Sequence, residues 1–327
     1  MTEHLMYVGT DDGVLTMRRL PGNWEHLAAG LSGHQIWSLA HRPGRPQEIF
    51  AGSYGRGLFY SADAGNLWQS RNDGLTHTYI RSVLFDPTDV HRMFVGTEPA
   101  AIFRSVDDGQ TWQELTGVQT LPGHERWYLP YSPRAGAVRT LAAVPGLPGS
   151  FYAGIEQGGV IYTYDGGDTW QLLDGGVNAD VHDVLVDADG GAILFAATGG
   201  GVHRSFDGGK TWERVLADYT RAVAAQPGHP QIVYAGPAPR VGHGGRIERT
   251  HDAGSTWQPW WCGLSVPLRG MVEQLVARPG SLDDLGGLFA VLSGGEVHHC
   301  ALDRPAWVPI FCGGEPRVNV VELAVGS

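Results

Sequence analysis

No apolar run of about 18 residues occurs in this chain, so no membrane-spanning helix and no membrane partner are expected. The first residues, MTEHLMYVGTDDG, lack a basic start followed by an apolar stretch, which argues against a secretory leader. Cysteine is scarce. Cys262, Cys300 and Cys312 make an odd count without zinc-type spacing, a pattern expected of reduced, mostly buried thiols in a cytoplasmic protein. Positive charge is short as well: 23 Lys and Arg against 34 Asp and Glu give a net charge of −11. Such a chain repels a phosphate backbone, so a nucleic-acid partner is not expected. Long amphipathic segments of period 3.6 are also missing, which removes a helical domain.

In their place stand 48 glycines, 20 prolines and 11 tryptophans, a composition suited to many short strands and tight turns. An eight-residue box recurs among them. Its cleanest copy is Ser205-Phe206-Asp207-Gly208-Gly209-Lys210-Thr211-Trp212, and further copies begin at Ser61, Ser105, Thr163 and Thr250. Worn copies end at Trp24 and Trp307. The closing tryptophans are Trp24, Trp68, Trp112, Trp170, Trp212, Trp257 and Trp307. A repeat of this length means a solenoid, a propeller or an array. The chemistry of the box suits a β-turn. The Asp side chain accepts from nearby backbone N–H groups, the Gly takes a positive φ, the Ser or Thr bonds back across the turn, and the Trp supplies an apolar body to the space between sheets. A Ca²⁺ loop would need several carboxylates at alternate positions, and these boxes carry mostly one.

Each period reads as four strands, a to d, with the box as the c–d turn. The second period is Ile36–His41, Glu48–Gly52, Gly57–Ser61 and a last strand from Leu67. The ends depart from this frame. The chain starts on a strand b at Leu5–Gly9, and it finishes on Arg317–Val325, a strand a with no b after it. Pairing the last strand with the first three would leave no open edge. The stretch 117–137 is an insertion with three aromatics, and 237–245 is a smaller one.

The box resembles the Asp-box, or BNR repeat, found in sialidases, xyloglucanase-type glycosidases, sortilin-type receptors and photosystem II assembly-factor propellers. The resemblance covers the chain end to end. It implies an all-β fold, a single seven-bladed β-propeller of four-stranded antiparallel blades over 1–327, closed by pairing of the C-terminal strand with the N-terminal blade. In such a fold the d–a and b–c loops share one face, and ligands sit there at the mouth of the central channel. Both insertions fall on that face.

One early position of strand a carries Trp37, Arg81, Arg139, His182, Arg221, Glu273 and Asn319 in successive blades. Three arginines and a histidine make a cationic collar suited to carboxylate or phosphate. Alternatively, the arginines pair with Glu98, Glu156, Asp180 and Glu273 and only fill the channel. Tyr54, Tyr219, His124, Trp127 and His243 complete the expected ligand face. The leading expectation is a monomeric cytoplasmic protein that binds a small anionic or polyhydroxylated ligand, or a protein partner's acidic segment. A second expectation is a hydrolase or lyase with Glu156, Asp180 and His182 as its acid/base group; a third is an assembly scaffold. Arg81, Arg139 and Arg221 could imitate a sialidase triad. The first blade, MYVGTDDGVLTMRRLPG, lacks the FRIP-type motif, however, and a xyloglucanase needs two facing domains. No close-spaced histidine pair suggests a metal, and no cofactor is expected.

Overall fold

The computed structural model describes residues 4–20, 23–130, 136–187, 192–280, 286–314 and 316–325. Alternating apolar runs bounded by glycine turns form seven separate sheets of four strands each, and neighbouring strands within a sheet run antiparallel. This is the seven-bladed β-propeller class.

By contact the chain divides into two compact units, residues 1–172 with 319–327, and 173–318. The first unit holds four blades. In blade 1 the strand Val318–Val325 lies beside His4–Thr10, followed by Gly13–Leu20 and Asn23–Gly30, so the last strand completes the first sheet as expected. Blades 2 to 4 begin on the inner strands Ile36–Arg42, Tyr79–Asp86 and Ala137–Ala143. The second unit holds blades 5 to 7, with inner strands Val181–Val186, Tyr219–Gln226 and Val272–Arg278. Outer strands in the boxed blades are shorter than their apolar pattern suggests. In blade 3 the outer strand is only Gln113–Glu114, because Thr111 is already taken up by the box turn.

That turn has the same wiring in four of the five boxes. In the cleanest, the Ser205 hydroxyl donates to Asp207 Oδ1 at 2.8 Å and accepts from the Gly209 N–H at 2.8 Å. Asp207 Oδ1 then accepts from the Thr211 N–H at 2.9 Å, and Oδ2 from the Thr211 hydroxyl at 2.8 Å. Ser105–Asp107–Thr111, Thr163–Asp165–Thr169 and Thr250–Asp252–Thr256 repeat it. Ser61–Asp63–Leu67 keeps the backbone half. The tryptophan that follows packs between sheets: Trp68, Trp112, Trp170, Trp257 and Trp307 each join the apolar cluster between two blades of one unit.

The wiring has an acid signature. Hydrogen bonds from the Thr211 N–H and hydroxyl and from Ser205 hold the Asp207 carboxyl down at about 2, and those from Thr256 and Thr250 do the same for Asp252. A depressed carboxyl stabilises the fold above its unfolded value, and that contribution is lost as pH falls through the folded value. The thermal midpoint of the native chain should therefore drop between about pH 4 and about pH 2. An Asp207→Asn, Asp252→Asn double variant should show a visibly shallower drop; identical pH profiles would refute the assignment.

Candidate functional site

The inner strand of every blade from 2 to 7 carries a β-bulge at one and the same place. The pairing register slips at Trp37, Arg81 and Arg139 in the first unit. It slips at His182, at Arg221 with Ala222, and at Glu273 in the second. These are the residues that align along strand a. A bulge leaves its residue unpaired and re-aims the side chain. The flanking residues stay in the ladder and are apolar or small, such as Ile36 and Ser38, Ile80 and Ser82, or Val138 and Thr140.

In the first unit the bulges assemble an aromatic–arginine cluster. The Arg81 guanidinium lies 4.4 Å over the Trp37 ring and 5.8 Å from the Tyr54 ring. Tyr54 is 5.7 Å from Trp37 and meets Tyr79 edge-on at 4.6 Å. Trp37, Tyr54 and Tyr79 are half-buried, whereas Arg81 and Glu98 are buried 3.9 Å apart. One blade further, Arg139 pairs with Glu156 at 3.1 Å. Tyr79 escaped the sequence reading. Its signal was available, because it stands two residues before Arg81, as Tyr219 stands before Arg221.

The second unit repeats the theme. Arg221 Nη1 reaches Glu273 at 2.6 Å, and its Nε donates to the Tyr219 hydroxyl at 3.0 Å. Burial alone would weaken this guanidinium's hold on its proton, but the Glu273 carboxylate and Tyr219 outweigh it and hold the pKa above the ordinary value. His182 is buried, stacks 5.0 Å from the Tyr219 ring and lies 3.5 Å from the Asp180 carboxylate. The arginines are therefore ion-paired with carboxylates that the pairing alternative named.

The insertion over 117–137 carries 3₁₀ turns at Thr116–Thr120 and His124–Arg126. Trp127 is 5 % exposed and belongs to the apolar cluster of Val118, Leu121, Val138 and Ile155, so it anchors the insertion as core. His124 stacks on it at 4.8 Å. Most of 237–245 remains a loop, but the strand His229–Ala238 runs into it, and His243 is exposed there beside Arg240. Asn319 lies on the last strand and donates to the Ile36 carbonyl at 3.1 Å. Among the described residues no helix is long and apolar enough to cross a membrane.

The model of the BNR/Asp-box repeat matches residues 203–214, the box of blade 5. Comparison with curated proteins finds no match. Among solved structures, an ancestral GH74 enzyme is similar at 17 % identity and a TM-score of 0.62, over 89 % of this chain and 38 % of that one. The chain thus spans well under half of that enzyme. YCF48 bound to D1 peptide is similar at 18 % identity and a TM-score of 0.61, over 88 % of this chain and 86 % of that one. The extracellular domain of a putative hybrid two-component system from B. thetaiotaomicron matches at 12 % identity and a TM-score of 0.64, over 90 % of this chain and 38 % of that one. At these identities the likeness is one of fold. The seven four-stranded blades make this chain a seven-bladed β-propeller, with a BNR/Asp-box match at residues 203–214 and four sister turns elsewhere in it.

Proposed function

We propose that this chain is a binding protein that takes a hydroxyl-rich, carbohydrate-like ligand on the aromatic–arginine cluster of its first unit. One observation carries the reading: the bulges at Trp37 and Arg81 hold a half-buried Trp37 ring beside Tyr54 and Tyr79, with a guanidinium 4.4 Å over the indole. Aromatic faces next to fixed N–H donors suit a sugar ring, which offers C–H faces and hydroxyls together. Ligand charge is argued by the carboxylates. Arg81 and Arg139 already face Glu98 and Glu156. An anion would have to displace or approach those carboxylates, whereas a neutral polyol does not. The peptide held by YCF48 keeps a polypeptide ligand as the competing outcome.

A glycan array followed by titration calorimetry tests the reading. Trp37→Ala should cost about 2 kcal/mol, roughly thirtyfold in Kd, as truncation of an aromatic anchor does. Its circular dichroism should stay native, because the ring is half-exposed. Binding of peptides but no glycan would overturn the proposal. Slow turnover of a bound glycan would convert it into the hydrolase reading.

A further inference from the structure

Two of the three cysteines, far apart in sequence, meet in the core between blades 6 and 7. Cys262 follows the outer strand Gln258–Pro259 of blade 6, and Cys300 ends the strand Glu296–Cys300 of blade 7. Cys300 pairs across its sheet with Trp307, and the Trp307 N–H donates to the Cys262 carbonyl at 3.0 Å. Both side chains enter one apolar cluster with Trp260, Leu268 and Trp307. Cys300 is fully buried, whereas Cys262 is half-buried. Cys262 also sits at φ 43°, in the left-handed region that residues with a side chain seldom adopt.

We propose that Cys262 and Cys300 form a redox-responsive pair that closes to a disulfide in the presence of a low-molecular-weight disulfide, stapling blade 6 to blade 7. The Cys262 thiolate, being the accessible one, attacks the small disulfide; its S–S bond breaks and one small thiolate leaves. The Cys300 thiolate then attacks Cys262 sulfur, forms the internal S–S bond and expels the second small thiolate. The two protons lost by the cysteines end on the two small thiols, and the small disulfide is the species reduced. Burial raises the Cys262 thiol and pushes Cys300 up to about 12, so the exchange is slow and demands sustained oxidising conditions. Exposed Cys312 lies outside the pair.

The test uses the full chain carrying Cys312→Ser, incubated with oxidised glutathione and read by intact mass. The expected product has lost two hydrogens, carries no glutathione, yields a Cys262–Cys300 cross-linked peptide and melts several degrees higher. Dithiothreitol should reverse all of these changes. Adding Cys262→Ser should abolish the mass loss while the circular dichroism stays native. An unchanged mass after equilibration, or a persistent glutathione adduct without the internal bond, would overturn the proposal. Because the readout is covalent mass on a chain without Cys262 variation, it does not depend on whether a core substitution folds.

Discussion

Gly96→Ala is expected to lower the thermal midpoint by roughly 4 °C, from a loss of about 3 kcal/mol at the upper end of core overpacking. Gly96 lies in the second strand of blade 3, where the inner strand of blade 4 passes close by. A Cβ there would sit 2.4 Å from Ser82 Oγ and 2.5 Å from Val138 Cγ1. Neither neighbour can yield easily. The Ser82 hydroxyl is spent on the Val138 carbonyl at 2.9 Å, and Val138 is wholly buried. Gly52 faces Ile80, Gly9 faces Ile36 and Gly236 faces Val272 in the same way. A glycine at this point of the second strand is thus what lets adjacent blades approach. Trimming the opposing side chain in a Gly96→Ala, Val138→Ala double variant should give a positive coupling, measured by thermal melts of all four chains. A Gly96→Ala midpoint equal to the native one would rule the mechanism out.

A similar loss should follow from Arg42→Met, about 3 kcal/mol in chemical denaturation, the lower range for removing one member of a buried ion pair. Arg42 ends the inner strand of blade 2 and is 3 % exposed. It reaches Glu48 at 2.7 Å in its own blade. It crosses to Asp108 at 2.8 Å and to the Val90 carbonyl in blade 3, with its guanidinium over the Phe85 ring at 5.3 Å. The methionine would keep much of the apolar contact but none of these bonds. Glu48 would then be left with Arg45, which is exposed and holds it weakly. At present burial acts to raise the Glu48 carboxyl, while Arg45 and Arg42 overcome it and hold the group below its usual range. Its stabilising share is therefore present above its ordinary pKa and lost on acidification, and Arg42→Met should shrink that share. Arg45→Ala is the control, with little effect expected. Equal losses from both substitutions would show that Arg42 acts as an ordinary surface charge.

These two residues illustrate what sequence reading reaches. Gly96 stands at a repeated place in the blade pattern, so its recurrence is visible, but its reason, the passing of Val138 at van der Waals distance, is not. Arg42 carries no local mark at all. The stretch 117–137 held an aromatic-rich insertion that suggested a ligand wall; its Trp127 instead closes a core cluster, because Val118 and Leu121 on the first 3₁₀ turn bring it down onto Val138 and Ile155. Tyr79 was passed over, although its offset from Arg81 matches that of Tyr219 from Arg221.

The box explains why the fold class was legible. Its bonds join residues two and four apart, as from Ser205 to Asp207 and from Asp207 to Thr211, so one short segment contains the whole turn. Blade number, turn chemistry, the tryptophan between sheets and the return of the last strand to the first follow from repetition of that local unit. Aligning the repeats also brought out the row of Trp37, Arg81, Arg139, His182, Arg221 and Glu273. What waited for the tertiary structure is everything that joins residues distant along the chain. The bulges that re-aim that row depend on the neighbouring strand, the Arg221–Glu273 pair spans two blades, and the meeting of Cys262 with Cys300 needs two sheets in contact. Such contacts are set by how packed sheets fit one another, and no periodicity in the chain records that fit.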